Sequence, residues 1–478
     1  MTPEEFQRIG HQLINWIADY RTKIGEFPVM SRLEPGTIRA RLPKKPPEIS
    51  ESLDISLLED LESIIIPGLT HWNHPNFFAY FPANASLASV LGDILSTGLG
   101  VQGMSWQTSP AATELEEVVV DWMRQLVGLP ENFVGVIHDT ASTANLVALL
   151  CARERITNHA QVRGGLQAEP SPLVVYTSDQ SHSSIEKAAL LAGFGRMNVR
   201  SIETDDKHAM RVDTLELAIK TDMECGLRPC AVVATIGTTA TTALDPLDKI
   251  AYIAQTYGLW LHVDAALAGS AMILPECRHM WSGVEEADSL VWNPHKWLGA
   301  AFDCSLYYVR DPEHLTRVMS TNPSYLQTTA DGQVKNFRDW GIPLSRRFRA
   351  LKLWLLIRSE GVIRLRERLR CDLENAQWLR EQVDATPNWE RLAPVPLQTV
   401  CVRYVPSGMT PDEVDTHTLE WVSRINLSGK AYLTTAKLKG RWTVRVSIGA
   451  ELTESHHVEA LWQLMRCEAE EFLIDGSD

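Results

Sequence analysis

Between residues 87 and 362 the chain alternates short apolar runs with helix-like stretches, and this alternation limits the possible fold more than any other feature. The runs have the length and composition of buried strands and lie at Val134–Ile137, Leu173–Tyr176, Ala231–Ile236, Leu259–Val263, Ser289–Trp292 and Ser305–Val309. Stretches such as Ala144–Arg155 and Leu247–Tyr257 separate them with helical periodicity. The pattern predicts an α/β domain with a large, mixed, mostly parallel sheet covered by helices on both faces. Ligands of such sheets bind at the carboxyl ends of strands, so the residues after each run are the first candidates for a site.

The segments on either side of this domain have different patterns. At the N-terminus, Thr2, Pro3 and Glu5 form the signature of a capped helix, and apolar residues then recur at helical spacing. A helical arm with an apolar stripe must bury that stripe, either against a second copy of the chain or against its own domain. Near the C-terminus, two strand-like runs between helices predict a small α+β domain. We therefore expect an arm at 1–86, a large domain at 87–362 and a small domain at 363–478.

Charge and cysteine content exclude several classes of function. The 478 residues carry 45 Lys and Arg against 60 Asp and Glu, a net charge of -15, which argues against a nucleic-acid or anionic-membrane binder. One basic stretch, Arg346–Arg370, holds nine Lys or Arg against two Glu and is open to a nucleic-acid interpretation, but its apolar residues recur at helical spacing. Eight cysteines without a CxxC pair predict reduced thiols and no metal site. With no signal or membrane-length apolar run, a cytoplasmic protein is expected.

Lys296 is the most informative single residue. It lies in the segment SLVWNPHKWLGA, directly after a predicted strand and between Trp292 and Trp297. Apolar surroundings disfavour the charged amine and lower its pKa, which suits a nucleophile or a Schiff-base former. The alternative is an ordinary lysine whose amine reaches the surface.

Three further segments place polar groups after predicted strands. Asp264 ends an apolar run in LWLHVDAALAGS, His182 opens a helix in SDQSHSSIEKA, and residues 140–142 begin another helix, where free N–H groups can bind phosphate. Each has a structural alternative: a loop cap, a hydrogen-bonding histidine and an ordinary helix start. Together with Lys296 they supply the amine, acid, ring and anion site that pyridoxal phosphate requires.

In order and wording these segments resemble the group II pyridoxal-phosphate decarboxylases, most closely the aromatic-L-amino-acid decarboxylases. The resemblance runs from HWNHPNFFAYFP, which begins at residue 71, through SWQTSPAATELE, SDQSHSSIEKA, VATIGTT, HVDAALAGS and NPHKWLGAAFDCS to WGIPLSRRFRALKLW. It implies fold type I, the aspartate-aminotransferase-like fold, in a homodimer with a swapped N-terminal arm and active sites at the interface. It also implies decarboxylation of DOPA, tyrosine, phenylalanine or tryptophan to the amine and CO2.

The resemblance assigns a role to individual residues. Lys296 would carry the cofactor as a Schiff base, Asp264 would pair with the ring nitrogen, and His182 would stack on the ring. The other cofactor contacts would be Ala266 on the opposite ring face, Thr239 near the ring hydroxyl, Ala141, Ser142 and Asn293 at the phosphate, and His295 beside it. The substrate side chain would lie among Trp72, Tyr80, Phe81 and Pro82, joined across the dimer by Gln102 and Met104.

Some positions depart from the family pattern. Phe337 stands where family decarboxylases have a loop tyrosine that donates a proton, and phenylalanine has no hydroxyl. In similar plant enzymes phenylalanine here accompanies reaction with dioxygen, which yields aldehyde, ammonia and peroxide; alternatively, His182 or water supplies the proton and the product stays an amine. Ser359 matches a position that is serine with phenolic substrates and glycine with indolic ones, whereas Ala83 replaces a threonine of animal members. These residues favour DOPA, tyrosine or phenylalanine over tryptophan. A fold type I aminotransferase, which needs an α-keto acid acceptor, is the remaining enzymatic alternative.

Overall fold

The computed structural model describes residues 1–48, 55–321, 323–326 and 330–470. These residues form two compact units. The large unit comprises residues 83–380 and 393–401, and the second unit comprises 1–82, 381–392 and the described residues from 402 onward. The N-terminal arm thus shares a unit with most of the C-terminal segment, and the three-part division at 86/87 and 362/363 stays a prediction.

The helices and strands follow the alternation expected from the sequence. The α-helices are α1 Pro3–Lys23, α2 Thr37–Arg41, α3 Ile55–Asp60, α4 Leu87–Leu99, α5 Pro110–Val127, α6 Ala141–Ile156, α7 Ser183–Leu191, α8 Val212–Glu224, α9 Leu247–Tyr257, α10 Pro312–Met319, α11 Ala350–Ala385, α12 Pro411–Ser428 and α13 Ser455–Glu470. The strands are β1 Val134–His138, β2 Leu173–Ser178, β3 Val199–Ile202, β4 Arg228–Thr235, β5 Trp260–Asp264, β6 Ser289–Trp292, β7 Ser305–Val309, β8 Trp389–Arg391, β9 Thr399–Tyr404, β10 Thr434–Leu438 and β11 Arg441–Ser447. All six strands predicted in the large domain are confirmed.

The large sheet has the strand order β1-β7-β6-β5-β4-β2-β3. Only β7 runs antiparallel to its neighbours, so β1, β2, β4, β5 and β6 end at the same edge. Strands β2, β5, β6 and β7 are buried along their whole length, as expected when both faces of a sheet are covered. The expected mixed, mostly parallel sheet is therefore confirmed. Strand β3 escaped prediction because it is a half-exposed edge strand without an apolar run.

The second unit contains the N-terminal helix and the C-terminal helices. Helix α1 begins with the expected capping box between Thr2 and Glu5, and no residue of α1 is buried. Strands β10 and β11 form an antiparallel hairpin in a four-stranded sheet of order β10-β11-β9-β8. Helix α12 packs against both β11 and α13. The predicted strands at 400–404 and 442–448 correspond to β9 and β11, while the short β8 and the half-exposed β10 were missed.

Most of the basic stretch 346–370 lies in α11, where its arginines bind groups of the same unit. Arg366 donates to the backbone oxygen of Ile273 at 2.7 Å, and Arg370 forms an ion pair with Glu276 at 2.7 Å. Gly361, with φ +69°, interrupts the helical geometry beside the predicted boundary at 362/363. The helix indicated by the apolar spacing is confirmed from residue 350 onward, but the basic residues do not form one solvated face, because Lys352 is completely buried. No helix within the described ranges is long and apolar enough to cross a membrane.

Candidate active site

The carboxyl edge of the large sheet collects the predicted cofactor residues. Besides β3, five strands end there, and each of these five ends in or is followed by at least one predicted cofactor residue. These residues are Ala141 and Ser142 after β1, His182 after β2, Thr239 after β4, Asp264 and Ala266 at the end of β5, and Asn293, His295 and Lys296 after β6. Because these strands run in the same direction, nine positions spread over 156 residues of the sequence lie along a single edge of the sheet.

Lys296 lies on a short π-helical turn, Pro294–Leu298, that follows β6. Its backbone departs from helical geometry, with φ -91° and ψ -107°. The backbone is held on both sides: the Lys296 N–H donates to the oxygen of Asn293 at 3.0 Å, and the Lys296 oxygen accepts from Asn84 Nδ2 at 3.2 Å. The side chain is half-buried, whereas both flanking tryptophans, Trp292 and Trp297, are completely buried. The predicted apolar flanks of the lysine are confirmed.

Helix α11 fixes the same turn from another side. Asp372 accepts a hydrogen bond from Trp297 Nε1 at 2.8 Å, and Arg368, one helical turn earlier, donates to the backbone oxygens of Trp297 and Leu298 at 2.8 and 2.6 Å. Burial raises the pKa of Asp372 to about 7, although the Trp297 hydrogen bond and the Arg368 charge oppose the rise. The backbone and ring next to Lys296 are therefore held by two side chains of one helix.

The carboxylate of Asp264 is buried and oriented through both of its oxygens. Oδ1 accepts from the Ala266 N–H at 3.0 Å, and Oδ2 accepts from Asn145 Nδ2 at 3.2 Å. The first bond also fixes the turn that carries Ala266, whose own oxygen accepts from the Asn293 N–H at 3.0 Å. These contacts join the ends of β5 and β6, so that Asp264, Ala266 and Asn293 are held together.

His182 is the N-cap residue of α7 and is exposed at the site. Its Nδ1 accepts from the Ser184 N–H at 3.1 Å and lies 2.8 Å from Ser184 Oγ. An Nδ1 that accepts from a backbone N–H carries no proton, so the neutral ring bears its proton on Nε2. Desolvation lowers the pKa of His182, Asp264 opposes this, and the charge of Lys296 adds to it. The structure thus brings His182, Asp264 and Lys296 within electrostatic range of one another.

The start of α6 has the properties of an anion site. Its N-cap residue Thr140 makes no side-chain capping bond, so the first N–H groups of this 16-residue helix remain open to a ligand. Ser142, on the first turn, is exposed. Nearby in the predicted set, Asn293 is oriented by Ser305 Oγ, which donates to its Oδ1 at 2.7 Å. His295 accepts from the Cys304 N–H at 2.9 Å, and burial lowers its pKa to about 4, so it is neutral. This donor set fits a phosphate, and with the amine and carboxylate above it fits pyridoxal phosphate.

Phe337 lies in the same unit, in a hydrophobic cluster that also contains Ala141. It is completely buried in a 3-10 turn, its ring 5.6 Å from that of Trp340 and 4.8 Å from the guanidinium of Arg346. It also lines a cavity of about 80 Å³ together with the end of β1 and Thr143, the residue after Ser142. Its catalytic role stays a prediction.

The remaining predicted substrate residues fall into two groups. Gln102 and Met104 lie beside the segment of Phe337: Gln102 Oε1 accepts from the Arg346 N–H at 2.6 Å, and the Met104 oxygen accepts from the Arg338 N–H at 2.9 Å. Ser359 is exposed on α11. In the second unit, the rings of Trp72 and Tyr80 stack at 5.6 Å, Phe81 packs under Arg445, and Pro82 is buried. The two groups belong to different units, and their joint pocket stays a prediction.

Two residues of the site were missed from the sequence. Asn145 and Ser184 link Asp264 to His182, because Asn145 Nδ2 donates to Ser184 Oγ at 3.0 Å as well as to Asp264. The available signal was positional: Asn145 lies one turn after Ala141 on α6, and Ser184 lies two residues after His182. Buried polar side chains one turn into a ligand-binding helix are candidates for orienting the ligands.

Comparison with known proteins places this site in a family. Residues 35–405 match the pyridoxal-dependent decarboxylase conserved domain. The chain is 42% identical to a phenylacetaldehyde synthase of Arabidopsis thaliana, covering 98% of this chain and 96% of that protein. It is 39% identical to a tyrosine decarboxylase of Papaver somniferum, covering 98% and 94%. Among solved structures it matches Oryza sativa TDC with PLP and tryptamine at a TM-score of 0.94 and 37% identity, covering 99% of both chains. The chain belongs to the pyridoxal-dependent decarboxylase family.

Proposed function

We propose that this protein decarboxylates an aromatic L-amino acid, with pyridoxal phosphate as its cofactor. The observation that carries the proposal is the arrangement at the sheet edge, where Lys296, Asp264, His182 and the open N-terminus of α6 meet. Similarity to a tyrosine decarboxylase and to a tryptamine-bound structure supports the aromatic substrate class. An aminotransferase would share the lysine and the acid, but neither relative is described as one.

Different residues of the sheet edge would hold different parts of the cofactor. Lys296 would hold its aldehyde group, Asp264 would pair with the ring nitrogen, and His182 and Ala266 would contact the ring. Thr239 would contact the ring hydroxyl, and Ala141, Ser142, Asn293 and the neutral His295 would hold the phosphate. Bound pyridoxal phosphate supplies an electron sink that accepts the pair released when the substrate carboxylate leaves as CO2.

The chain's own side chains govern where protons go. Asp264, oriented through both oxygens, would keep a proton on the ring nitrogen of the bound cofactor. Lys296 offers an amine that can exchange with the substrate amine. His182 carries its proton on Nε2, because Nδ1 accepts from Ser184, and this makes Nε2–H a donor at the open side of the site. His182 Nε2 is therefore the side-chain donor that would return a proton to the substrate carbon and complete an amine product.

A second outcome is favoured by Phe337. Its ring replaces the hydroxyl that family decarboxylases use for reprotonation, and it lies in a hydrophobic cluster. Similarity to phenylacetaldehyde synthase supports this alternative. Without reprotonation, substrate, dioxygen and water yield the aldehyde, CO2, ammonia and hydrogen peroxide.

A product assay separates the two outcomes. Purified enzyme is incubated with phenylalanine, tyrosine, DOPA and tryptophan in turn, and amine, aldehyde and peroxide are measured together. Stoichiometric amine without peroxide supports the decarboxylase, whereas equal aldehyde and peroxide support the synthase. The Phe337→Tyr variant should raise the amine fraction. An unchanged product ratio would refute the role given to this position, and absence of CO2 release would refute the function itself.

Two helices of the chain expose apolar residues that bear on its assembly. No residue of α1 is buried within the chain, although Phe6, Leu13 and Ile14 form its apolar face. On α4, apolar side chains recur along one face and are between 43% and 62% exposed: Leu87, Leu91, Ile94, Leu95 and Leu99. Two such stripes are typical of subunit interfaces, so we infer a homodimer. The double variant Leu91→Glu, Ile94→Glu should sediment as a monomer in sedimentation velocity. If it still sediments as a dimer, α4 is not part of the interface.

The substrate preference rests on a few residues of this chain. Trp72, Tyr80 and Phe81 offer aromatic contact surface, which favours an aromatic side chain over an acidic one. Ser359 favours a phenolic or phenyl ring over an indole. In a competition assay, tyrosine, DOPA or phenylalanine should have a higher kcat/KM than tryptophan. In a Ser359→Gly variant, the kcat/KM values for these substrates and for tryptophan should lie closer together. An unchanged ratio would mean that Ser359 does not determine substrate preference.

A further inference from the structure

The amide of Asn145 occupies the centre of a buried hydrogen-bond network under the sheet edge. Asn145 is completely buried on α6, and its side chain contacts three residues of two other elements: His262 and Asp264 on β5, and Ser184 on α7. Its Nδ2 donates to Asp264 Oδ2 at 3.2 Å and to Ser184 Oγ at 3.0 Å. Its Oδ1 lies 2.9 Å from His262 Nε2. Both N–H groups of the Asn145 amide and its oxygen therefore have a partner.

The Asp264 carboxylate fixes which way the Asn145 amide faces, and the far side of the network matches it. The Asp264 carboxylate can only accept, and a flipped amide would place Oδ1 against it, where two acceptors repel. Nδ2 therefore faces Asp264 and Oδ1 faces His262, whose Nε2 donates to it at 2.9 Å. His262 is buried and neutral, since burial lowers its pKa to about 4, so its single proton lies on Nε2, and Nδ1 accepts from the Ser289 hydroxyl at 2.8 Å. Trp260 Nε1 donates to Ser289 Oγ at 2.8 Å, so the contacts from Trp260 to His262 match the amide orientation that Asp264 requires.

The near side of the network reaches His182. Ser184 Oγ accepts from Asn145, so its own proton is available to His182 Nδ1, which also accepts from the Ser184 N–H. The same amide that aligns Asp264 also directs the hydroxyl that helps to keep the His182 proton on Nε2. Asp264 and His182, which are proposed to contact the cofactor, therefore both depend on Asn145, which does not contact it.

We propose that Asn145 is a positioning residue that aligns the Asp264 carboxylate with the cofactor ring and, through the Ser184 hydroxyl, reinforces the His182 tautomer that the Ser184 N–H selects. The proposal rests on the function given above for Asp264 and His182. Asn145 touches neither substrate nor cofactor in this scheme and acts through its hydrogen bonds alone. An apolar side chain of similar volume would remove the partner that Asn145 gives to Asp264 Oδ2, to Ser184 Oγ and to His262 Nε2.

The test measures cofactor binding by the full-length holoenzyme. Wild type, Asn145→Leu, Asp264→Asn and the double variant are dialysed to equilibrium against pyridoxal phosphate, and the dissociation constants are compared. Asn145→Leu should weaken binding by about 10- to 100-fold, the range expected when buried hydrogen-bonding groups lose their partner. In the Asp264→Asn background the same substitution should change binding by less than about 3-fold, because both act on one interaction. The pH midpoint of the visible absorption of the bound cofactor should shift by about one unit in Asn145→Leu.

A buried amide elsewhere in the unit provides the control. Asn375 on α11 is 7% exposed and donates to Cys371 Sγ on its own helix. Asn375→Leu should lower the melting temperature without changing the dissociation constant or the pH midpoint. If Asn145→Leu behaves like this control, or if the two substitutions are additive, the inference is overturned. If Asp264→Asn itself leaves cofactor binding unchanged, the proposed role of Asp264 fails instead, so the two failures are distinguishable.

Discussion

Asp372 makes the stability of the enzyme fall as the pH rises from acid to neutral. The carboxyl group is 3% exposed, and burial raises its pKa from 3.8 to about 7 in the folded protein. Between these two values the unfolded chain releases the proton while the folded chain keeps it. The folded state is therefore stabilised below pH 4, and this stabilisation is lost progressively until about pH 7. A span of about three pH units corresponds to about 4 kcal/mol at 1.36 kcal/mol per unit.

The substitution Asp372→Asn removes the titration but keeps an oxygen that can accept from Trp297 Nε1. Relative to wild type, the variant should gain about 3 kcal/mol between pH 5 and pH 8, because about two of the three units lie in that interval. The large unit has about 300 residues, so this gain corresponds to a rise of about 4 °C in the difference between the two melting temperatures. Other titrating groups, including the buried Asp245, are common to both proteins and cancel in the difference.

The assay is differential scanning fluorimetry of wild type and variant at half-unit pH steps. Asp213→Asn is the control, because Asp213 is exposed on α8 and the Arg211 hydrogen bond lowers its pKa, so it is ionised in both states over this range. The difference between its melting temperature and that of wild type should stay flat from pH 5 to 8. A flat difference for Asp372→Asn as well would refute the reasoning, since it would mean that Asp372 is ionised in the folded protein at pH 5.

Other predictions concern packing and the reactive amine. Gly92→Ala should destabilise the enzyme by about 1–3 kcal/mol in guanidinium unfolding, because a Cβ there would overlap the backbone of Lys352. Gly98 lies on the same helix with nothing near its Cβ position, so Gly98→Ala should stabilise the enzyme by about 0.5 kcal/mol. Equal effects of the two substitutions would argue against a close approach of α4 to Lys352. Arg346→Met should cost about 3–5 kcal/mol in the same experiment, because it leaves the buried Glu116 carboxylate unpaired, and a loss under 1 kcal/mol would contradict that. Lys296→Ala should abolish both the visible absorption of the cofactor after dialysis and CO2 release; turnover at the wild-type rate would exclude the lysine.

Local patterns predicted those parts of the fold whose cause is local. The capping box of α1 and the strand that precedes Lys296 each depend on a few adjacent residues, and both have the expected bounds. Lys296, Asp264 and His182 were predictable for a related reason, because parallel strands end at one edge and each of these residues ends or closely follows a strand. Residues joined only by the tertiary structure escaped prediction. The Trp297–Asp372 bond spans 75 positions and the Asn145–Asp264 bond spans 119, and no periodicity relates either pair.

The two tryptophans beside Lys296 show how one sequence feature can serve two structural purposes. Both were expected to surround the amine with apolar groups, and both are completely buried. Trp292 ends β6 and packs so closely on Gly269 that a Cβ at that position would overlap its ring, so the glycine of HVDAALAGS and the tryptophan of SLVWNPHKW require each other. Trp297 instead uses its indole N–H to bind Asp372 on α11. The lysine backbone is consequently held between the sheet on one side and α11 on the other, while the residue as a whole is only half-buried.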